Sequence, residues 1–149
     1  MKKASILIVD DNENILETLS AILEEKGYRT DTAKNGREAI EKSKTNFYNV
    51  ALLDIRLPDI EGTKLLTKIE ESSPRMVKIM ITGYASLENA VEALNLGADG
   101  YIMKPVDPEN LLKVINEKMK AQRKAEKMSQ EKVTEWIETR ARKLAKGQL

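Results

Sequence analysis

Apolar residues along the chain form short continuous runs that alternate with longer stretches of helical spacing. Five runs rich in Val, Ile and Leu have the length and composition of strands. They lie at Ser5 to Val9, Tyr28 to Thr32, Val50 to Leu53, Val77 to Ile81, and Tyr101 to Met103. Continuous apolar runs are typical of a parallel sheet, in which helices cover both faces of each strand.

Helical patterns fill the intervals between these runs, with apolar residues recurring three and four positions apart. Gly27 and Gly97 provide signals for helix ends, and Ser86 and Asp107 precede two helix starts. The predicted helices cover Ile15 to Leu23, Gly36 to Lys44, Leu65 to Ile69, Ser86 to Leu96, and a segment that opens at Pro108.

Strand and helix thus alternate five times, which predicts a βα repeat with right-handed crossovers. We expect an α/β fold with a flavodoxin-like, doubly wound, five-stranded parallel sheet in the strand order 2-1-3-4-5. In such a sheet the functional crevice lies at the carboxyl ends of the strands.

The C-terminal segment differs in charge from the rest of the chain. Residues 1–119 carry 16 basic and 20 acidic side chains, whereas residues 120–149 carry 9 and 4. We predict one domain over residues 1–119 and an amphipathic, basic helical extension over residues 120–149, either continuous with the fifth helix or a sixth helix. Its apolar residues share one helical face: Val133, Trp136, Ile137, Ala141 and Leu144.

Composition narrows the possible chemistry. The 149 residues contain no cysteine and no histidine, which excludes disulfides, cysteine or histidine catalysis and the usual zinc ligand sets. Oxygen ligands are left, and these favour magnesium or calcium. No apolar run has the length of a membrane span or a signal-peptide core, so we place the protein in the cytoplasm.

Polar residues follow the ends of four predicted strands. Asp10 and Asp11 follow the first strand, Asp54 the third, Thr82 the fourth and Lys104 the fifth. Because parallel strands end at one edge of a sheet, these side chains should converge. Three carboxylates in one crevice repel each other, and a divalent cation would relieve that repulsion. Such a site suits phosphoryl transfer, with a carboxylate as acceptor.

Each of these residues also has an ordinary local explanation, and only their joint occurrence at one edge favours a site. Tyr101, at the start of a strand, is by itself most simply a packing residue. The local explanations are helix capping for Asp10–Asp11, turn chemistry for Asp54–Asp59, a loop start at Thr82–Gly83, and a tight turn at Lys104–Pro105.

Four segments in the same order resemble the response-regulator receiver family of two-component signalling, and they span the chain from about Ser5 to Met119. Each segment is weak evidence alone, but together they are specific. They are Ile8–Asp11, Leu53–Gly62, Ile81–Ala85 and Gly97–Pro105.

The resemblance implies a role for each residue of the predicted crevice. Asp54 would be the phosphoacceptor, and Lys104 would pair with the phosphoryl group. Asp10 and Asp11 would organise Mg²⁺ together with Asp54 and the backbone carbonyl of Arg56.

The resemblance also implies a switch. Thr82 and Tyr101 would be the switch pair, the hydroxyl moving toward the phosphate and the ring turning inward. The Lys104–Pro105 peptide would be cis, which is reasonable for an X-Pro bond. Arg56 and Tyr84 occupy positions that modulate how fast the phosphate is lost.

The function implied is a signalling receiver that catalyses only its own phosphoryl transfer and dephosphorylation. The donor would be a sensor histidine kinase or a phosphotransfer protein. The face formed by the fourth helix, fifth strand and fifth helix would then control a partner or an output domain. A homodimer through this face or through the extension is a further expectation. The extension would act as a linker, dimerisation or partner helix.

Three other functions are less favoured. Direct binding of nucleic acid lacks a recognisable motif in a segment as short as residues 120–149. A phosphatase or phosphotransferase for small substrates would need Asp-x-Asp spacing, which Asp10–Asp11 does not have. Flavin or nucleotide binding would need a Gly-rich phosphate loop, but Asp10–Glu13 is acidic.

Overall fold

The computed structural model describes residues 4–83 and 86–147, apart from the side chain of Leu87. Strands and helices alternate along this part of the chain. The strands are β1 (Ser5–Val9), β2 (Arg29–Ala33), β3 (Val50–Asp54), β4 (Val77–Thr82) and β5 (Gly100–Met103). The helices are α1 (Glu13–Glu25), α2 (Gly36–Thr45), α3 (Gly62–Ser72), α4 (Leu87–Asn95) and α5 (Pro108–Ala145).

The five strands form one parallel sheet in the order β2-β1-β3-β4-β5, which confirms the predicted flavodoxin-like topology. Several strand ends differ from the predicted ends by one residue. The strands β3 and β4 extend to Asp54 and Thr82, because backbone pairing with the neighbouring strand continues past the apolar run. Strand β2 begins and ends one residue later than the predicted run from Tyr28 to Thr32.

Helices cover both faces of the sheet. Alternate residues of the central strands point to opposite sides, so Leu7 and Val9 enter one core cluster and Ile6 and Ile8 enter the other. The first cluster packs beneath α2, α3 and α4, and the second packs beneath α1 and the first turns of α5. This sandwich fixes the strand ends, and with them the side chains that follow.

The chain divides into two compact units, residues 1–119 and residues 120–149. Helix α5 runs without interruption from Pro108 to Ala145, so of the two predicted alternatives the structure has the single long helix. Within the second unit Val133, Trp136 and Leu144 are more than half exposed. The guanidinium of Arg140 lies 5.3 Å from the centroid of the Trp136 ring, a cation–π distance.

Among the described residues, no helix combines the length and the apolar character that crossing a membrane requires.

Candidate functional site

Three carboxylates meet where β1 and β3 end, an edge that we call the carboxyl edge of the sheet. Asp10 follows β1, and Asp54 is the last residue of β3, the strand paired with β1. Asp10, Asp11 and Asp54 each place a carboxylate oxygen within 4.8 Å of the other two. Asp10 and Asp54 are buried, and Asp11 is exposed. The predicted convergence of these residues is therefore present in the structure.

Lys104 lies between two of these carboxylates. Its Nζ is 2.9 Å from Asp10 Oδ2 and 3.3 Å from Asp54 Oδ2. Burial alone would lower the pKa of Lys104, but the hydrogen bond to Asp10 and the charges of both carboxylates raise it above the usual value. The ammonium therefore stays charged at neutral pH and partly offsets the negative charge of the site.

The remaining negative charge is evident at Asp54. Burial raises the pKa of the Asp54 carboxyl, and the charge of Asp10 raises it further, while Lys104 and the backbone N–H of Arg56 oppose the shift. One ammonium among three carboxylates leaves an excess of negative charge at an oxygen-only site. A hard divalent cation such as Mg²⁺ fits this donor set, since it prefers one or two carboxylates with water and phosphate oxygens.

Thr82 lies on β4, the strand next to that of Asp54, and Tyr101 lies on β5, which pairs with the other side of β4. Asp54 pairs with Ile81 in the register of β3 and β4, so Thr82 is one residue further toward the carboxyl edge. Thr82 is fully buried, and its carbonyl accepts a hydrogen bond from the Lys104 amide at 2.8 Å. Tyr101 is partly buried against the first core cluster with its hydroxyl oxygen inaccessible to solvent, and burial raises the pKa of that hydroxyl.

The loop after β3 brings Arg56 beside the Asp54 carboxylate. The backbone N–H of Arg56 donates to Asp54 Oδ1 at 3.3 Å. The Lys104–Pro105 peptide is cis. Tyr84, the other residue predicted to modulate the rate of phosphate loss, lies outside the described residues.

Helix capping does not explain Asp10 and Asp11, because another residue caps α1. Asn12 is the N-cap of α1, and its side chain accepts from the N–H groups of Asn14 and Ile15. Asp10 Oδ1 accepts the Asn12 N–H at 2.9 Å, and Asp10 Oδ2 lies 2.9 Å from the Lys104 ammonium. The Asn at this position was a capping signal that the sequence reasoning passed over in favour of the two aspartates.

The arrangement combines a buried carboxylate, a charged ammonium and an oxygen-rich pocket. A carboxylate can act as a nucleophile toward phosphorus, and an ammonium can stabilise charge on phosphoryl oxygens. The geometry is therefore suited to receiving an anionic group at Asp54 once a cation offsets the charge of the carboxylates.

Comparison with known proteins shows which family and which solved structures the chain is similar to. Residues 6–116 match the family described as response regulator receiver domain. The chain is similar to a CheY-like receiver domain protein of Methanospirillum hungatei JF-1, with 52% identity and a TM-score of 0.81. That match covers 83% of this chain and 99% of the other.

Two curated relatives are longer than the matched region. The regulatory protein AtoC of Escherichia coli (strain K12) is 38% identical over 117 residues, which are 78% of this chain and 25% of AtoC. The transcriptional regulatory protein DltR of Streptococcus agalactiae (serotype III, strain NEM316) is 36% identical over 107 residues, which are 72% of this chain and 48% of DltR. The chain thus spans a quarter to a half of these relatives.

Proposed function

The chain belongs to the response regulator receiver domain family, and from that membership we propose that Asp54 accepts a phosphoryl group from a histidine kinase or a phosphotransfer protein. Members of this family act in two-component signalling and not in metabolism. The observation that carries the proposal is the buried Asp54 carboxylate beside Lys104 and two further carboxylates. Because these 149 residues contain no histidine, a phosphohistidine donor has to lie outside them.

We assign Mg²⁺ to the acidic pocket. Asp10, Asp11, Asp54 and the backbone carbonyl of Arg56 would hold it, and the short distances among the three carboxylates support this assignment. When bound, Mg²⁺ would neutralise negative charge on the phosphoryl oxygens.

The transfer step follows from the positions of three side chains. A carboxylate oxygen of Asp54 would attack phosphorus, and an O–P bond would form as the bond from phosphorus to the donor nitrogen breaks. The electron pair of that bond stays with the nitrogen. Lys104, already 3.3 Å from Asp54, would donate to one phosphoryl oxygen, and the hydroxyl of Thr82 to another. Attack by water on phosphorus of the resulting acyl phosphate would break its bond to the Asp54 oxygen, which releases inorganic phosphate and returns the free carboxylate.

The response to phosphorylation would be a repacking of α4, β5 and the first turns of α5. A phosphoryl group adds about −1.5 to −2 charges and strong acceptor oxygens, which would draw Thr82 and Lys104 toward Asp54. Tyr101, on the strand paired with that of Thr82, would turn further inward in the same transition. Val91, Leu94 and Met103 are exposed apolar residues of α4 and β5, which supports a partner surface there.

The partner of that surface would be an output protein, an output domain or a second copy of the chain, and residues 120–149 would act as a linker or dimerisation helix. The basic charge of this segment and the similarity of the chain to DltR, a transcriptional regulatory protein, favour nucleic acid as a second candidate partner. We favour a protein partner because the exposed residues of the segment include an apolar stripe as well as charges. A location in the cytoplasm stays a prediction.

The test is the intact mass of the protein after incubation with Mg²⁺ and acetyl phosphate, beside the variant Asp54→Asn. We expect the wild type to gain one phosphoryl group and the variant to gain none. A parallel calorimetric titration with Mg²⁺ measures metal binding without any phosphodonor. A wild type that neither binds Mg²⁺ nor gains mass would overturn the proposal, and an equal gain in both proteins would show that the acceptor is another residue.

A further inference from the structure

The loop between β3 and α3, residues 55–61, is folded tightly against the end of β3. The N–H of Gly62 donates to the carbonyl of Ile55 at 2.7 Å, and Arg56 and Glu61 form a β-bridge across the loop. A Cβ at Gly62 would lie 2.5 Å from the Asp54 carbonyl oxygen, so this close return of the chain requires glycine. The base of the loop is thus fixed beside the acceptor.

A second contact fixes the far side of this loop to α2. Asp59 Oδ1 accepts from the N–H of Gly36 at 2.8 Å, and Asp59 Oδ2 accepts from the N–H of Arg37 at 2.9 Å. Asn35 accepts the next helical N–H, that of Glu38, at 2.8 Å. Two side chains therefore cap the first turn of α2, and one of them, Asp59, comes from the loop that carries Arg56.

Packing and charge both support the contact with α2. A Cβ at Gly36 would clash with the Cγ2 methyl group of Ile60, so a larger residue there would force the Ile60 side chain to move. The N–H groups of Gly36 and Arg37 lower the pKa of the Asp59 carboxyl. The side chain therefore stays ionised at neutral pH and presents both oxygens as acceptors, which suits the positive end of a helix dipole.

We propose that Asp59 is a positioning residue for the metal pocket, because it ties the loop that presents the Arg56 carbonyl to the start of α2. This inference rests on the proposed function, in which that carbonyl is a ligand of Mg²⁺. Arg56 lies between Ile55, whose carbonyl accepts the Gly62 N–H, and Asp59, whose carboxylate is held at the start of α2. Without Asp59, part of the free energy of metal binding would be spent on ordering the loop.

The test compares Asp59→Ala with a matched control, Asp99→Ala. Asp99 also accepts a backbone N–H, that of Lys78 at 2.8 Å, but it lies before β5, at the opposite end of the sheet. We would titrate Mg²⁺ into each protein by calorimetry and measure amide hydrogen exchange at Gly36 and Arg37 by NMR. Asp59→Asn keeps the side-chain shape and one acceptor oxygen, and serves where Asp59→Ala is too unstable to study.

We expect Mg²⁺ to bind about tenfold more weakly to Asp59→Ala, on the scale known for residues that orient metal ligands, and less weakly to Asp59→Asn. Amide exchange at Gly36 and Arg37 should accelerate in both variants. The control should lose stability and keep the Mg²⁺ affinity of the wild type.

Unchanged Mg²⁺ affinity in Asp59→Ala, with fast exchange at Gly36 and Arg37, would refute the positioning role and leave the proposed function intact. An equal loss of affinity in Asp99→Ala would also refute it, since the effect would then be general destabilisation. A wild type that binds no Mg²⁺ would instead overturn the assignment of Mg²⁺ to the acidic pocket, and this inference with it.

Discussion

Replacement of Lys104 by Met tests the charge balance of the carboxyl edge most directly. The ammonium of Lys104 lies 2.9 Å from Asp10 and 3.3 Å from Asp54, and both carboxylates are buried. Methionine keeps most of the side-chain volume and removes the charge. The variant therefore leaves two buried carboxylates, and the exposed Asp11 beside them, without this cation.

The expected loss follows from these distances. At an effective dielectric constant of about 20, two unit charges roughly 3 Å apart attract by about 5 kcal/mol. Desolvation of the ammonium and its partial exposure to water offset most of the attraction in the wild type. We expect the free energy of unfolding to fall by about 2–3 kcal/mol at neutral pH without Mg²⁺, somewhat less than for a fully buried pair that loses one partner.

The loss should depend on pH. Burial and the charge of Asp10 raise the pKa of Asp54 in the wild type, and Lys104 opposes this shift, so the variant should raise the pKa further. A carboxyl with a raised folded pKa binds its proton more tightly when folded. This tighter proton binding stabilises the folded protein at pH values below the pKa of the carboxyl in the unfolded chain. The stabilisation is lost as the pH rises through the pKa of the carboxyl in the folded protein. The loss of unfolding free energy in Lys104→Met, relative to the wild type, should therefore be largest at neutral pH and smaller in mild acid.

Urea denaturation followed by circular dichroism measures these changes, with EDTA or Mg²⁺ present and at neutral or mildly acidic pH. The matched control is Lys42→Met, because Lys42 pairs with Asp31 at 2.9 Å in a more exposed setting away from the carboxyl edge. We expect a smaller loss for this control and no recovery with Mg²⁺. If Lys104→Met lost no more stability than the control, or if Mg²⁺ restored none of its loss, the charge argument would be wrong.

Two further predictions concern other parts of the chain. Glu70→Ala should lower the free energy of unfolding by about 3 kcal/mol or more, because it leaves the buried Lys78 ammonium without its carboxylate. Lys78→Met should lower it by only about 1–3 kcal/mol, because the Met76 carbonyl then loses its hydrogen-bond donor. Urea denaturation checks the order, and a larger loss in Lys78→Met would contradict it. Truncation after Met119 should leave phosphorylation by acetyl phosphate unchanged and alter self-association in light scattering; loss of phosphorylation would mean that residues 120–149 are needed by the receiver fold.

The fold could be predicted from the sequence because each level of the pattern agrees with the others. Buried strands, capped helices and their strict alternation leave few topologies once right-handed crossovers are required. The convergence of Asp10, Asp54 and Lys104 then follows from parallel strands alone. The continuity of α5 could not be decided, since residues 120–132 are polar and favour a helix without an apolar face that would fix its course.

The contacts that sequence reasoning missed are those between residues far apart in the chain. Asp59 was explained as a turn residue, yet it accepts N–H groups 22 and 23 residues away. Lys78 was included in an apolar strand, and the structure buries it completely with Glu70 as partner. No local spacing signals either pairing, because the packing of separate helices and strands decides which side chains meet.

Lys78 and Lys104 show why only one end of the sheet is suited to a ligand. At the start of β4, the Lys78 ammonium pairs with the carboxylate of Glu70 and with backbone carbonyls, so its charge is balanced within the fold. After β5, Lys104 has two buried carboxylates as partners and Asp11 beside them, so negative charge is left over. A balanced pair responds little to cations, whereas an excess of carboxylates is relieved by a proton or by Mg²⁺. The stability of the carboxyl edge should therefore change with Mg²⁺, and Mg²⁺ should leave the stability of the Lys78 pair unchanged.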